Sequence, residues 1–497
     1  MSQGQAQNAT VWKDVLTRVA GGLSVRSDSR RVLPGEVFVA LPGTNANGAD
    51  YIAMALKQGA AFIVTQNTDH PLAGQTAEPS PDPASGRTAT FIVREDVRQA
   101  LGELAGTHYG TAKLPFPLAA ITGTNGKTTV AYLVEHIIRA AGGIPGRLGT
   151  VEYRWPGHEE HASLTTPDCL ALHAMLGQMI ASGVTGAVME ASSHALAQDR
   201  LAGLRFDAAV FTNLTQDHLN YHKDMEDYFA AKRRLFTDYL KNPSDAVVNF
   251  DDPYGQKLLA EMPDAIGYGL GESALPPRAL RGRITREDRH GMELQIHFEG
   301  QAWTITSPLA GRYNAQNLLA AQGAGLAMGL PESAFAALAD CHGAPGRLER
   351  VPNTRGLSVF VDYAHTPDAL ENVQKALREL DFKRIVTVFG CGGDRDRTKR
   401  PLMAAAVAKW ADVAVLTSDN PRHEDPMAII EDARPGLAKA AKVVIEPDRR
   451  EAIRLALGVV GPQDVLLVAG KGHEEYQQIG DVKHPFSDVA VVKELLK

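Results

Sequence analysis

The chain has 497 residues, 44% of them hydrophobic and 22% charged, with a formal net charge of -7. It exceeds the size at which a single core stops growing, so two to four domains are expected, and the composition excludes a disordered, fibrous or membrane-embedded class. The acidic balance argues against a general nucleic-acid binder, and three well-separated cysteines (Cys169, Cys341, Cys391) fit neither a zinc cluster nor a disulfide framework.

Those cysteines suit a reducing compartment. With no signal peptide or stretch of transmembrane length in view, a cytoplasmic location and no membrane partner are expected. Near the start, VFVALPG and AAFIVTQ are short β-branched runs ending in turn residues, and the helical segment DYIAMALKQGA lies between them. Residues 68–87, rich in Pro, Ser, Gly and Ala, read as an exposed loop. FIVRED resumes a strand, and a helix rich in Ala and Leu leads to Pro-Phe-Pro at 115–117, which places a boundary near Pro115 and a small α/β domain at 1–114.

Beyond Pro115 come the strand PLAAITG, the helices KTTVAYLVEHIIRAAGG and ALHAMLGQMIASG, and the strands GAVMEAS and DAAVFTNL. This alternation predicts a parallel sheet covered by helices. MELQIHF and AWTITS alternate with period two around a Gly-Gln pair, which predicts a hairpin. A second boundary near Gly343 gives a central domain at 115–342 and a third at 343–497. In the third, LSVFVDYA, RIVTVFG, ADVAVLTSD and DVLLVAGKG predict another open α/β sheet, Rossmann-like, with ligands at the carboxyl ends of its strands. The fold class is therefore α/β throughout.

The chemistry begins at residues 121–130, ITGTNGKTTV. A standard phosphate loop has four residues between its first glycine and the Gly-Lys pair, but here only Thr124 and Asn125 separate Gly123 from Gly126. The context of strand, glycine turn and helix is still that of a nucleotide loop, in which backbone N–H groups meet phosphate oxygens, Lys127 adds charge and Thr128 offers its hydroxyl to Mg²⁺. The competing reading is a glycine turn with a surface lysine. Glu190 closes GAVMEAS at the edge of the same expected sheet, where it can serve Mg²⁺ or pair with a lysine.

FTNLTQDHLNYH packs Asn213, Gln216, Asp217, His218, Asn220 and His222 behind a strand, denser than a capped turn requires. In MEDYFAAKRRLF, Lys232 falls in a run of cations whose plain reading is a solvated helix face. VDYAHTPDAL, VFGCGGDRDRTKRP, SDNPRHEDP and AGKGHEE all follow buried strands, so four charged loops are expected at one sheet edge. Among them, Arg395 and Arg422 can offer a planar fork to a carboxylate.

Taken together, from DSR near residue 28 to FSD near residue 486, these motifs resemble the Mur ligase family, ATP-dependent amide-forming enzymes of peptidoglycan assembly. The short loop GTNGKT is the family's own form of the phosphate loop. The resemblance implies a uridine-nucleotide domain, a central ATPase domain and a C-terminal amino-acid domain. It also implies three small-molecule substrates, UDP-MurNAc-L-Ala-D-Glu, ATP and meso-diaminopimelate, with Mg²⁺ as cofactor and the protein a monomer.

Residue by residue, DSRRVLPGEVFVALPGTNANG implies that Ser29, Thr44, Asn45 and Ala46 lie along the UDP-sugar, and TTPD with EASSHALAQDR adds Thr165, Thr166, Ser192, Gln198 and Arg200. Gly123, Thr124, Asn125, Gly126, Lys127, Thr128 and Thr129 would hold ATP phosphates, with Asn314, Asn317, Arg347, Asp362, Tyr363 and His365 also on ATP. Thr128, Glu190, His218 and Lys232, the last as a carbamate, would serve the metal; Lys127, Lys232, His218 and Arg347 would be catalytic. Arg395, Asp419, Asn420, Pro421, Arg422, Gly470 and Glu474 match the amino-acid site. Arg422 suits the second carboxylate of meso-diaminopimelate, and lysine-adding relatives lack an arginine there. Departures from the pattern are Leu164 for Asn before the Thr-Thr pair, and Asn47 and Ala49 for the usual Asp and His. The alternatives are the same reaction with L-lysine, another ligase of this superfamily such as a folylpolyglutamate synthase, or an ATP-hydrolysing switch protein.

Overall fold

The computed structural model describes residues 3–43, 46–66, 80–81, 88–219, 221–272 and 275–497. Nearly all of the expected loop at 68–87 lies outside these, as do Thr44, Asn45 and Asn220. The chain forms two compact units, one of residues 1–122, 142–209 and 226–245 and the other of residues 123–141, 210–225 and 246–497.

The first unit opens with the helix Gln3–Ala20, followed by strands β1 (Val25–Arg26), β2 (Val37–Val39), β3 (Phe62–Thr65), β4 (Ser80–Pro81) and β5 (Thr88–Val93). Their order is β1-β2-β3-β5-β4, parallel except where β4 meets β5. Both faces are covered. Phe38, Ile63 and Phe91 pack with Ile52, Ala55 and Leu56 of the helix Ile52–Gln58, while Val37, Val39, Val64 and Ile92 meet Trp12, Val15 and Val19 of the first helix and Leu101 and Leu104 of the helix Val97–His108. Coverage on both sides is why these strands read as unbroken apolar runs rather than alternating ones.

A second sheet of this unit contains β6 (Leu118–Thr122), β7 (Pro145–Leu148), β8 (Glu152–Trp155), β9 (His158–His161) and β10 (Gly186–Glu190), in the order β6-β10-β7-β8-β9. β6, β10 and β7 are parallel, as the alternation predicts, but β8 and β9 fold back antiparallel. That ribbon was not expected. Its outer strand reads HEEH and buries nothing, so it lacks any apolar period by which to find it.

After β11 (Ala208–Phe211), the second unit contains the helix Lys127–Ala140 and β12 (Ala246–Asn249), β13 (Ile266–Gly269), β14 (Arg278–Asp288), β15 (Gly291–Phe298) and β16 (Gln301–Ser307). These strands run in the order β16-β15-β14-β13-β12, and the hairpin of β15 and β16 expected from their period-two pattern is extended by β14 into an antiparallel meander. The same unit carries a six-stranded sheet of β17 (Glu349–Arg350), β18 (Ser358–Asp362), β19 (Ile385–Cys391), β20 (Val413–Ser418), β21 (Val443–Ile445) and β22 (Val465–Ala469). Its order is β17-β18-β22-β19-β20-β21, parallel except for β17, so the loops after β18, β19, β20 and β22 emerge at one edge. Helices cover both faces, with Leu370, Leu377, Met403 and Ile430 on one and Ile453, Leu457 and Val492 on the other. A short hairpin, β23 (Tyr476–Ile479) with β24 (Val482–Pro485), follows β22.

Candidate functional site

In the second unit, residues 123–129 form a tight turn into the helix Lys127–Ala140, with Gly126 at φ 89° as its N-terminal flanking residue. A side chain there would be strained twice over, since that φ disfavours L residues and a Cβ would come within 2.5 Å of Asn317 Oδ1. Residues behind β11 brace the loop. The Thr124 N–H donates to the Asn213 carbonyl at 2.9 Å, the Asn125 N–H to Asn213 Oδ1 at 2.9 Å, and the Thr212 hydroxyl to the Asn125 carbonyl at 2.6 Å. The Lys127 ammonium folds back onto the carbonyls of Gly123 and Thr124, both at 2.9 Å. The plain alternative of a surface lysine on a glycine turn does not fit this anchoring.

Asn314 and Asn317 on the helix Arg312–Ala327 are buried and bonded to each other, Asn317 Nδ2 donating to Asn314 Oδ1 at 3.1 Å. Arg347 lies with its guanidinium over the Tyr363 ring at 4.7 Å and one Nη 3.5 Å from the Thr128 hydroxyl, while its buried Nε has no hydrogen-bond partner among the described residues. Asp362 at the end of β18 accepts from the Leu348 and Ala364 N–H groups, and burial raises its carboxyl above the ordinary range. Tyr363 and His365 meet edge to face at 4.6 Å, and burial pushes the Tyr363 phenol up to about 12. Asp368 carries no expected role, yet it accepts from Asn125 Nδ2 at 3.3 Å and from the Thr215 hydroxyl at 3.0 Å. His218 adopts the left-handed backbone at φ 54°, with its ring 3.5 Å from Asp217. Burial acts to raise the Asp217 carboxyl, but the charges of His218, Lys399 and His365 and the His218 N–H outweigh it and hold it below its ordinary value.

The first unit gathers another cluster around Glu190 at the end of β10. Its two carboxylate oxygens accept from the Thr150 N–H at 2.8 Å and the Thr150 hydroxyl at 2.9 Å, and that hydroxyl lies 3.1 Å from Thr165 Oγ1. The Thr166 hydroxyl donates to the Glu190 carbonyl at 2.9 Å and accepts from the Ser192 N–H, and Arg200 donates to both the Thr166 carbonyl and Gln198 Oε1. Thr165, Thr166, Glu190, Ser192, Gln198 and Arg200 are therefore one connected network. Thr150 was missed because nothing local marks a threonine that meets its partner forty residues on. Leu164 is held by its backbone to the Tyr153 hydroxyl and leaves its side chain exposed. Lys232 does not lie on a solvated face. It is 1% exposed, with its ammonium 4.5 Å from the centre of the Tyr228 ring. Ser29 is buried against Met54, its hydroxyl 3.4 Å from the sulfur, and the Ala46 carbonyl accepts from the Gly43 N–H.

At the strand ends of the six-stranded sheet, the four expected loops do meet. The Gly470 N–H donates to the Asp362 carbonyl, the Gly393 N–H to the Asn420 carbonyl, and Asn420 Nδ2 to Glu474 Oε2 at 2.8 Å. Arg422, at φ 51°, is pinned by the hairpin, its N–H donating to the Gln478 carbonyl and its carbonyl accepting from the Gly480 N–H. Its guanidinium donates to the Gly393 carbonyl at 2.8 Å. A Cβ on Gly392 would stand 3.1 Å from Arg422 Nη1 and 3.6 Å from Arg395 Cγ, so the two arginines flank that glycine. Pro421 and Asp419 are buried behind them. Among the described residues, no group of three or more His, Cys, Asp or Glu side chains forms a ready-made metal site.

A tight phosphate loop opening a helix, and a parallel sheet whose strand-end loops bear arginines and carboxylates, define a phosphate-loop α/β class with a second charged site. Family models match nearly end to end: Mur ligase family, catalytic domain over residues 24–109, Mur ligase middle domain over 121–325, and Mur ligase, glutamate ligase domain over 346–472. The UDP-N-acetylmuramoyl-L-alanyl-D-glutamate–2,6-diaminopimelate ligase of Lawsonia intracellularis is 50% identical over 94% of this chain and 95% of its own. Its namesake from Thermosynechococcus vestitus is 43% identical over 95% and 93%. A solved structure of a ligase with this name superposes at a TM-score of 0.68 and 33% identity, covering 95% of this chain and 94% of that one. The Mycobacterium tuberculosis folylpolyglutamate synthase, solved with ADP, shares the fold at a TM-score of 0.60, 23% identity and coverage of 76% and 92%. The chain belongs to the Mur ligase family.

Proposed function

We propose that this protein is a cytoplasmic, monomeric, ATP-dependent ligase that joins meso-diaminopimelate to the γ-carboxylate of D-glutamate in UDP-MurNAc-L-Ala-D-Glu. The reading rests on the names of relatives up to 50% identical over most of the chain. The observation that carries the choice of acceptor is Arg422, whose guanidinium stands beside Gly392, with Arg395 also next to that glycine. A planar fork there suits the second carboxylate that distinguishes meso-diaminopimelate from lysine. The working division is a uridine-nucleotide domain at 1–114, an ATP domain at 115–342 and an acceptor domain at 343–497.

ATP would lie on residues 123–129, the nucleotide being further bounded by Asn314, Asn317, Arg347, Asp362, Tyr363 and His365. Two features fit a phosphate chain: the N–H groups at the start of a long helix, and the Arg347 guanidinium, which reaches Thr128 with one Nη and whose buried Nε has no partner among the described residues. Thr128, Glu190, His218 and a carbamylated Lys232 would hold Mg²⁺, which when bound neutralises phosphate charge. The donor types fit a hard cation, and carbamylation would turn a buried amine into an oxygen donor. Ser29, Thr44, Asn45, Ala46 and the network from Thr165 to Arg200 would hold the UDP-sugar peptide. Asp419, Asn420, Pro421, Gly470 and Glu474 would complete the acceptor site.

In the reaction, the γ-carboxylate oxygen attacks the terminal phosphorus of ATP, releasing ADP and forming an acyl phosphate. The acceptor amine, deprotonated, adds to the acyl carbon, and inorganic phosphate leaves as the amide forms. This chemistry asks for positioning and charge neutralisation rather than a nucleophilic side chain. Lys127 and Arg347 would supply charge at the phosphates, and the Thr150 clamp holds the Glu190 carboxylate in one orientation. The test is ADP release with UDP-MurNAc-L-Ala-D-Glu and either meso-diaminopimelate or L-lysine. Release dependent on meso-diaminopimelate is expected. A preference for lysine overturns the reading of Arg422, and release without any amino acid identifies an ATP-hydrolysing protein instead.

A further inference from the structure

Lys471 follows Gly470 at the end of β22, and the motif AGKGHEE gives it no role by itself. Its side chain is wholly buried. The ammonium donates to Asn420 Oδ1 at 3.0 Å and to Glu474 Oε2 at 3.2 Å, and it lies 5.6 Å from the centre of the Tyr476 ring. Asn420 Oδ1 also accepts from the Gln478 N–H at 2.9 Å. Two donors on that oxygen decide which way the amide is turned, and they direct Nδ2 to Glu474 Oε2 at 2.8 Å. One carboxylate oxygen of Glu474 thus takes two donors, while Oε1 takes none from the described residues.

We propose that Lys471 is a positioning residue for the acceptor amino acid: it locks Asn420 and Glu474 so that Glu474 Oε1 is the oxygen presented to the acceptor's ammonium group. The proposal rests on the acceptor reading of Asn420 and Glu474 above. Without Lys471, Glu474 Oε2 keeps only the Asn420 amide as donor and Asn420 Oδ1 only the Gln478 N–H, so the carboxylate could rotate and carry Oε1 away from where the ammonium needs an acceptor. With Lys471, the carboxylate is fixed at one end and its charge half-engaged, so an incoming ammonium meets a single defined oxygen. The arrangement costs no unpaired buried charge, because amine and carboxylate are desolvated together. Gln478 links the lock to the hairpin that pins Arg422, so the ammonium-binding and carboxylate-binding parts of the site share one support.

Lys471→Met keeps the chain length and removes the donors. The expected result is a rise of about tenfold or more in the KM for meso-diaminopimelate, with the KM values for ATP and the UDP-sugar peptide within about twofold of wild type. A purely structural role would not single out one substrate. Glu474→Gln supplies the cycle: if Lys471 acts through Glu474, the double variant adds less than about threefold to the loss of Glu474→Gln alone, whereas independent effects multiply. Should Lys471→Met not fold, K471M/E474Q leaves no unpaired buried charge and is read against E474Q by the same criterion. A wild-type acceptor KM in Lys471→Met, equal rises in all three KM values, or multiplying losses overturns the proposal. If wild-type protein shows no acceptor-dependent ADP release at all, the acceptor reading fails first and takes this proposal with it; the wild-type assay alone tells the two failures apart.

Discussion

Lys127 does two things at once. Its ammonium ties down the carbonyls of Gly123 and Thr124, and it brings a positive charge to the mouth of the helix Lys127–Ala140. Lys127→Ala removes both, so ADP formation is expected to fall by about 10²–10³-fold, the scale of losing one charged transition-state donor. Binding of the UDP-sugar peptide, measured calorimetrically, should change little; ADP formation at the wild-type rate would sink the nucleotide reading of the loop. Lys232 shows how differently two lysines of one chain are treated. It sits in a run of cations that reads as solvent-facing, yet its side chain is buried against Tyr228. Helical spacing reveals which residues share a face, but not which face the rest of the protein covers.

Among the elements, the last helix, Asp488–Leu495, is tied in by its first residue. Asp488 and Arg449 are both completely buried and joined by two hydrogen bonds at 2.7 and 2.8 Å, and Arg449 also donates to the Ala469 carbonyl at the end of β22. Asp488→Ala leaves a buried guanidinium without its carboxylate, which is expected to cost about 3–5 kcal/mol of stability in urea unfolding. A loss below 1 kcal/mol would mean that water reaches Arg449. The β23–β24 hairpin illustrates the opposite regime, since two strands alone are marginal and this pair gains support by pairing its backbone with Arg422.

Strands β2, β3, β6, β10, β18, β19, β20 and β22 were legible because each is a short apolar run bounded by turn residues, and all form where such runs stand. The ribbon of β8 and β9 was not, since β9 has polar residues on both faces and carries no period, and β8 alternates over only four residues. The antiparallel extension through β14 was also missed, because pairing partners are a property of the assembled sheet rather than of the strand.

At the scale of the whole molecule, His173 joins separate parts of the first unit. Its Nε2–H donates to the Ala202 carbonyl at 2.9 Å and Nδ1 accepts from the Thr111 hydroxyl at 2.5 Å, so the ring is neutral with both nitrogens engaged. Burial lowers its pKa to about 4, from the ordinary histidine value of 6.5. Between those values the unfolded chain binds a proton that the folded ring does not. Stability is therefore fully present above the unfolded value and is lost as pH falls toward about 4, by about 3 kcal/mol at most from this group. Replacing His173 by Gln should flatten that part of the stability profile, measured by urea unfolding across the window. An unchanged slope would show that His173 does not set the acid sensitivity of this window; carboxylates such as Asp28 and Glu424, which arginine partners hold down at about 2, add their losses at lower pH, as it falls from their ordinary values toward about 2.

The sequence by itself determined the α/β class, the glycine turn between β6 and its helix, and the four charged loops at one sheet edge, because periodicity, turn chemistry and strand direction are local properties. Only the tertiary structure decided which side chains complete those loops. Thr150 clamps Glu190, Asp368 reaches Asn125, and Lys471 locks Asn420 to Glu474 across separations of 40, 243 and 51 residues. Hydrogen bonds over such distances follow from packing whole sheets and helices against one another, and no window of sequence contains both partners.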